Sequence, residues 1–234
     1  MTLICFPHVA GFSMFYAFLG KFSYKNVDKV LLFDYPRKNF SLEGEINFKQ
    51  YTNSAIEFIK ANVAQDEPYI LFGHSMGAFV ACEAGLAMQN SYGKAPAGVI
   101  VSGQNPPYSV TLGILKKMPT DLIGFAEKLG GIPPKFHEKP TMLKRIYDIA
   151  EMDLKAISTY QPTLPDNDKR LKLGMLMSGE DDFIIDAMHH AHWDKTFCSI
   201  HSDNVFTGDH FYFNNHQEEV GALVDKFAGE AIKA

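Results

Sequence analysis

The chain has 234 residues, of which 46% are hydrophobic, and this length and composition fit one α/β domain with a sizeable core. Its formal net charge is −5 and it contains no block of Lys or Arg, which argues against nucleic acid as a partner. No apolar run approaches the ~18 residues of a membrane-spanning helix, and the first residues lack the pattern of a signal peptide. We therefore expect a cytoplasmic protein that does not bind membranes.

Short apolar runs alternate with longer amphipathic ones along most of the chain. This alternation predicts a mostly parallel, doubly wound sheet covered by helices, in a single α/β domain over residues 1–234. The predicted strands are Leu3–Phe6, Lys29–Asp34, Tyr69–Phe72, Gly98–Ser102, Leu171–Ser178 and Asp203–Thr207. The predicted helices are Phe48–Val63, Met76–Gln89, Asp186–Lys195 and Gln217–Lys233.

The alternation breaks between about residues 104 and 151, where no good strand pattern occurs. Helical patterns at Leu122–Leu129 and near Met142–Ile149 are separated by the Gly/Pro-rich stretch Gly130–Pro134. Ligands bind at the carboxyl ends of the strands in open α/β sheets, and helical insertions there act as lids. We therefore interpret this segment as a lid over a binding site.

The cysteines and a run of histidines do not predict a metal site. Cys5, Cys82 and Cys198 lie far apart in apolar sequence, which is typical of reduced thiols in a core. The three histidines of the H-H-x-H run at 189–192 cannot all share one helix face, so a solvated helix face is predicted there. We expect neither a metal ion nor another cofactor.

The sequence Gly73-His74-Ser75-Met76-Gly77 follows an apolar strand and precedes an apolar helix. This is the pattern of a nucleophile elbow, a sharp strand-to-helix turn that holds a serine at its apex. The two glycines would leave room where the strand and helix backbones nearly touch. Ser75 is therefore the predicted nucleophile. The N–H of Met76, at the start of the helix, is a predicted oxyanion donor.

An elbow serine needs a carboxylate and a histidine base, which follow it along the chain in that order. His210 follows the last predicted strand and fits the base. The acid is expected in the loop after the preceding strand, where Glu180, Asp181 and Asp182 compete and spacing does not choose between them. Neutral His210 would take the proton of Ser75, and the acid would orient its imidazole ring.

The loop after the first strand commonly supplies the second oxyanion N–H. Here that loop comprises residues 7–11, with the sequence Pro-His-Val-Ala-Gly. Val9 is the first candidate for the donor, and Ala10 is the second.

Five segments, in this order, together resemble the type II thioesterases of nonribosomal peptide and polyketide synthases. They are Leu3–Gly11, Gly73–Ala78, Leu129–Pro133, Asp153–Tyr160 and Gly208–Phe211. That family consists of stand-alone editing enzymes related to the fatty-acid-synthase thioesterase II, and the resemblance covers nearly the whole chain. It implies an α/β-hydrolase fold with a helical lid and a serine hydrolase that cleaves acyl or aminoacyl thioesters.

The resemblance also implies a substrate carried on the phosphopantetheine arm of an acyl or peptidyl carrier protein, with editing or release in antibiotic biosynthesis as the task. The family pattern Gly-x-x-Asp-Pro aligns its glycine with Gly179 and its acid with Asp182, while Phe183 replaces the proline and keeps Asp181 as an alternative. We expect a monomer. Two other functions stay open, a carboxylesterase for small free esters and a non-catalytic binding protein with the same fold.

Three segments depart from the family pattern without removing a member of the predicted triad. Val9-Ala10 stands where the family has Ala-Gly, and Pro36–Asn39 replaces a Pro-Gly-Arg-Gly or Pro-Gly-His-Gly sequence. Glu151–Asp153 replaces Arg-Ala-Asp. The resemblance implies that bulkier residues in the first loop alter the acyl pocket or the oxyanion geometry.

The charge of the expected partner gives the lid a second predicted role, because carrier proteins are usually acidic. The segment Leu112–Arg145 contains seven Lys and Arg against three Asp and Glu, although the whole chain is negative. Complementary fields raise association rates and favour one docking face. We therefore predict that a carrier protein docks over the lid through Lys116, Lys117 and Lys135.

Overall fold

The computed structural model describes residues 1–37, 46–108, 121, 124–125, 128–129, 138–186 and 191–233. The strands in these ranges are β1 (Thr2–Phe6), β2 (Lys29–Leu32), β3 (Tyr69–His74), β4 (Gly98–Ser102), β5 (Leu171–Gly179) and β6 (Phe197–Phe206). They form one sheet with the order β2-β1-β3-β4-β5-β6, and every neighbouring pair runs parallel. The predicted α/β fold with a parallel, doubly wound sheet is confirmed.

Helices cover both faces of this sheet. The described helices are α1 (Ala17–Lys21), α2 (Phe48–Asn62), α3 (Met76–Tyr92), α4 (Pro140–Ser158) and α5 (Gln217–Lys233). The core divides into two clusters because successive strand residues point to opposite faces. Ile4 and Leu71 belong to the cluster beneath α2, α3 and α4, whereas Leu3 and Ile70 belong to the cluster beneath α1 and α5. None of the described helices combines the length and the apolarity needed to cross a bilayer.

Strands β1 and β3 are neighbours in the sheet. The chain continues from β1 to β2 towards one edge and from β3 to β4 towards the other, so the strand order reverses between β1 and β3. In open α/β sheets a crevice forms at such a switch point, outside the carboxyl ends of the strands. The loop after β1 and the turn after β3 therefore meet at the same place.

Two predicted elements differ from the structure. Strand β6 begins at Phe197, not at Asp203. Its first half lacks a continuous apolar run because β6 is an edge strand whose residues are mostly exposed or only partly buried. Cys198 lies exposed on this strand, so the prediction of a core thiol is wrong for it and holds for the other two cysteines. The helix predicted from Asp186 is also wrong in the part described, because Ala191–Lys195 forms a short 3-10 turn. Residues 187–190, with two histidines of the 189–192 run, lie outside the described residues.

The predicted lid is described only in part. Its second helical pattern is the start of α4, which continues to Ser158 and packs its apolar face into the core. Of the pattern at Leu122–Leu129, only 124–125 and 128–129 are described. The proposed docking residues Lys116, Lys117 and Lys135 lie outside the described residues.

The backbones of β1, β3 and α3 approach one another most closely where α3 begins. A Cβ atom on Gly73 would lie 2.1 Å from the carbonyl oxygen of Gly77. A Cβ atom on Gly77 would lie 2.1 Å from the carbonyl oxygen of Phe6. Both obstacles are backbone atoms that cannot rotate away, so glycine is required at both positions, for the reason that the sequence pattern suggested.

Replacing Gly77 with Ala should therefore lower the free energy of unfolding by more than about 3 kcal/mol, the upper part of the range for overpacked cores. Gly20→Ala is the matched control, because its new Cβ would meet only the Leu32 side chain, at 4.0 Å. Urea denaturation of both variants measures the difference. Equal stabilities would contradict the close approach.

Candidate active site

Ser75 occupies the turn between β3 and α3, with φ 55° and ψ −119°. A positive φ is uncommon for a residue other than glycine and persists where the surrounding structure enforces it. The N–H of Ser75 donates to the carbonyl oxygen of Ser102 at 2.8 Å, which ties the turn to β4. Met76 begins α3, so its N–H has no acceptor within the helix. The turn thus presents a hydroxyl and a free donor side by side.

Asp182 and His210 form a buried pair, with 2.7 Å between Asp182 Oδ2 and His210 Nδ1. The other carboxylate oxygen of Asp182 accepts the N–H of Ile184 at 3.0 Å. The competing acids Glu180 and Asp181 are exposed. Of the three acids that the sequence left open, Asp182 is the one that contacts the histidine.

The loops that carry this pair are joined backbone to backbone. The N–H of Asp181 donates to the carbonyl oxygen of Gly208 at 3.0 Å. A Cβ on Gly179 would lie 2.2 Å from the carbonyl oxygen of Asp209, so the end of β5 presses directly on the histidine loop. This contact between the loops keeps the Asp182 carboxylate next to the His210 imidazole.

The bond to Asp182 also decides which nitrogen of His210 can act as a base. A carboxylate only accepts, so in the neutral ring Nδ1 carries the hydrogen and Nε2 keeps its lone pair. His210 Nε2 is buried and has no hydrogen-bond partner among the described residues. His210 and Ser75 line the same cavity.

Two further histidines surround His210. The ring centroids of His74 and His210 are 4.6 Å apart, and those of His8 and His74 are 5.8 Å apart. Burial lowers the pKa of His8 and of His74, and the nearby His210 lowers each further. Both rings are therefore neutral near pH 7, and neither repels a positive charge that forms on His210.

Each neutral ring is held by a hydroxyl group. His8 Nδ1 lies 2.6 Å from the Tyr16 hydroxyl, and His74 Nδ1 lies 2.9 Å from Ser102 Oγ. Ser102 Oγ is in turn 2.7 Å from the Tyr212 hydroxyl. His74 is thus tied to the end of β4, next to the turn that carries Ser75.

The loop after β1 distinguishes the two candidates for the second oxyanion donor. The N–H of Ala10 donates to Asp153 Oδ2 at 2.7 Å and is therefore already used. Val9 precedes it and lines the cavity together with Met76. Ala10 has φ 57°, in the left-handed region that favours glycine, which is the residue that the family pattern places there.

Arg37 and Asp153 form a buried ion pair that sequence reasoning did not find. Arg37 Nη2 lies 2.7 Å from Asp153 Oδ2, and both side chains are almost wholly buried. The two residues come from the segments that depart from the family pattern, 116 positions apart in the chain. An acidic residue between apolar neighbours on the buried face of a helix was the available signal.

The cavity that contains Ser75 has a volume of about 340 Å³ and an almost entirely apolar lining. Helix α4 supplies one wall, through Ile146, Ile149, Ala150, Leu154 and Ile157. Arg145 is the one Lys or Arg, and Asp and Glu are absent, among the described residues that line it. Such a lining suits an uncharged apolar group.

Phe183, which stands in place of the family proline, connects the loop of Asp182 with two residues of the segment that we interpret as a lid. Its ring centroid is 6.1 Å from that of Phe125 and 4.2 Å from Lys128 Nζ. Phe183 remains 43% exposed. The replacement therefore adds a lid contact and leaves the bond between Asp182 and His210 in place.

The buried neutral His74 makes stability depend on pH. The unfolded chain binds a proton at His74 below about pH 6.5 and the folded chain does not, so the free energy of unfolding falls as the pH drops. His74→Asn should reduce the loss between pH 7 and pH 5 by about 2 kcal/mol, measured by urea denaturation. His216→Asn is the control, because a bond to Glu219 raises the pKa of His216 and its removal should not reduce the loss. An unchanged slope in His74→Asn would refute the assignment.

Comparison with known proteins places this arrangement in a family. The family model for the thioesterase domain matches residues 1–228. A probable cadicidin biosynthesis thioesterase of Streptomyces griseus is 26% identical over 226 residues, which are 96% of this chain but only 61% of that protein. The chain therefore spans less than two thirds of this relative's length.

Solved structures agree on the fold. ClbQ from the colibactin NRPS/PKS pathway superposes with a TM-score of 0.82 at 20% identity, covering 98% of this chain and 97% of ClbQ. YbtT, a type II thioesterase from the yersiniabactin NRPS/PKS biosynthetic pathway, superposes with a TM-score of 0.74 at 22% identity, covering 98% and 93%. The resemblance to type II thioesterases extends over the whole sheet and its helices, and the chain belongs to the thioesterase domain family.

Proposed function

We propose that this protein hydrolyses acyl thioesters through a covalent intermediate on Ser75. The observation that carries the proposal is the buried 2.7 Å contact between Asp182 Oδ2 and His210 Nδ1, in a site where His210 and Ser75 line one cavity. The family match and the strained turn at Ser75 support the same reaction. The absence of a cofactor and the cytoplasmic location stay predictions.

In the first half-reaction the hydroxyl oxygen of Ser75 attacks the thioester carbonyl while His210 Nε2 takes its proton. The carbonyl oxygen becomes an oxyanion, for which the N–H groups of Met76 and Val9 are the donors. Asp182 stabilises the imidazolium without taking its proton. The intermediate collapses by breaking the C–S bond, and the thiolate leaves with the proton from His210.

In the second half-reaction His210 removes a proton from water, and the resulting hydroxide attacks the acyl-enzyme. The same two donors hold the second oxyanion. The bond between the acyl carbon and the Ser75 oxygen breaks, and the serine recovers a proton from His210. The free acid leaves, and the enzyme returns to its starting state.

The proposed substrate is an acyl group on the phosphopantetheine arm of a carrier protein in a peptide or polyketide synthase. Support comes from the names of the relatives, one a biosynthesis thioesterase and others from NRPS/PKS pathways. The apolar lining of the cavity favours an uncharged acyl chain over an aminoacyl group with a free ammonium.

If the substrate is a carrier-bound thioester, a thioester on a carrier protein should react faster than a free oxygen ester of the same acid. Equal rates would favour the carboxylesterase instead.

Ser75→Ala should lower kcat for acyl-carrier-protein hydrolysis by about 10³-fold or more, because the nucleophile is lost. The melting temperature should stay close to that of the unmodified protein, since the hydroxyl contributes little packing. Release of the free acid from an acyl-carrier protein measures the rate. Retention of a tenth of the activity would refute the mechanism.

Asp182→Asn should impair turnover far more than Asp181→Asn, although both remove one negative charge from the same loop. An asparagine at 182 favours the wrong tautomer of His210 and cannot stabilise its positive charge, which costs up to about 10⁴-fold in kcat. Asp181 is exposed and offers its N–H to Gly208, a bond that the substitution keeps. Parallel kcat measurements decide between them, and a dead Asp181→Asn enzyme would reassign the acid.

Ala150→Phe should shorten the acyl chains that the enzyme accepts, because Ala150 is a small residue on the α4 wall of the cavity. The value of kcat/KM for a decanoyl thioester should fall by about tenfold or more, while that for an acetyl thioester should change much less. Ser158→Phe places the same side chain at the exposed end of α4 as a control. A uniform loss on both substrates would show that the cavity does not hold the chain.

A further inference from the structure

Asp153 is the centre of a buried hydrogen-bond network beside the proposed oxyanion site. Its carboxylate is fully buried and accepts from Arg37 Nε at 3.0 Å, from Arg37 Nη2 at 2.7 Å and from the Tyr51 hydroxyl at 2.7 Å. A fourth bond comes from the N–H of Ala10, at 2.7 Å. The bonds from Arg37 and Tyr51 connect α4 with the segment after β2 and with α2, and the bond from Ala10 connects α4 with the loop that contains Val9.

Arg37 holds the same loop from the other side. Its Nη1 donates to the carbonyl oxygen of Gly11 at 2.8 Å, while its other nitrogens bond Asp153. The guanidinium is also packed at 5.3 Å from the centroid of the Phe12 ring. The ion pair therefore forms hydrogen bonds with the N–H of Ala10 and with the carbonyl oxygen of Gly11, the two residues directly after Val9.

These two hydrogen bonds matter because the loop adopts an unfavourable backbone conformation. Ala10 has φ 57°, and a residue with a Cβ atom persists there only when its surroundings over-determine it. A change at Ala10 would rotate the peptide that precedes it, which carries the N–H of Ala10 and the carbonyl of Val9. The direction of the Val9 N–H depends on the same short loop.

We propose that Arg37 and Asp153 are positioning residues that hold the loop after β1 so that the Val9 N–H faces the oxyanion. This inference rests on the proposed function and adds a residue pair to it. A buried ion pair is weak evidence for stability alone, since desolvation offsets much of the attraction. The hydrogen bonds from the ion pair to the strained loop after β1 point instead to a role in positioning that loop.

The test compares Asp153→Asn with Tyr51→Phe. Asp153→Asn removes the charge and weakens the bond to Ala10, so kcat for a decanoyl thioester should fall by about tenfold to a hundredfold, part of the cost of losing an oxyanion donor. The Kd for decanoate should stay within threefold of that of the unmodified protein, because a displaced donor affects the transition state more than the bound acid. Tyr51→Phe removes a bond to the same carboxylate and keeps the bonds of Asp153 to Ala10 and Arg37, so its kcat should stay within about twofold.

A second readout does not depend on thioester turnover. A decyl p-nitrophenyl phosphonate modifies Ser75 by forming a bond between the serine oxygen and phosphorus and releasing p-nitrophenolate. Negative charge develops on its phosphoryl oxygen in this step, so Asp153→Asn should slow the modification by a factor similar to that in kcat. If the wild-type protein reacts with the phosphonate but does not hydrolyse thioesters, the proposed function fails, and the rates of modification of the two proteins still test the positioning role. If Ser75 of the wild-type protein does not react with the phosphonate, both proposals fail.

Arg37→Lys serves if Asp153→Asn does not fold, because a lysine keeps the charge and cannot make the two-point bond. It should show the same loss in kcat with unchanged decanoate binding. The positioning role is overturned if the variant used matches Tyr51→Phe in kcat, or if kcat and decanoate affinity fall together.

Discussion

The first turn of α3 lies so close to β1 and β3 that no side chain fits between their backbones, and the geometry of the site depends on this approach. A Cβ at Gly73 or Gly77 would collide with a carbonyl oxygen, so the chain leaves β3 through a turn that only a strained residue can complete. The strain falls on Ser75, which is lifted out of the plane of the sheet. The same approach brings the N-terminus of α3 beside the loop that follows β1.

The opposite half of the site is built from the edge of the sheet. Strands β5 and β6 end in loops that are hydrogen-bonded to each other, and a glycine at the end of β5 lets them touch. The carboxylate and the imidazole are thereby paired before any substrate arrives. Neutral histidines and apolar side chains surround them, so a charge that develops during reaction interacts with the few aligned groups in a poorly solvated space.

The parts of the site that the sequence predicted are those set by local sterics. The turn around Ser75 could be recognised because two glycines and an apolar strand are sufficient to define it. Residue spacing did not choose Asp182 from three neighbouring acids, because that choice depends on which carboxylate the β6 loop reaches, and the family resemblance alone favoured it. Val9 was preferred to Ala10 as the second donor from the sequence, and the bond between the Ala10 N–H and Asp153 supplies a physical reason for that preference.

Longer-range features escaped sequence reasoning for a similar reason. The pairing of Arg37 with Asp153 joins segments that no periodicity relates. Strand β6 was predicted too short because an edge strand does not need a continuous apolar run. The parallel sheet and the helices α2, α3 and α5 were predictable, since strand–helix alternation is visible along the chain outside residues 104–151.

The bond between Ala10 and Asp153 also bears on how the protein reaches its working state. These residues are 143 positions apart, so the bond requires closure of most of the chain, whereas the turn at Ser75 is built from neighbours. Contacts of such separation carry a large loop-closure cost and form slowly. A nascent chain that ends before α4 contains Ser75 but lacks Asp153, and it also lacks Asp182 and His210, which come later still. The proposed site is therefore completed only when most of the chain has folded.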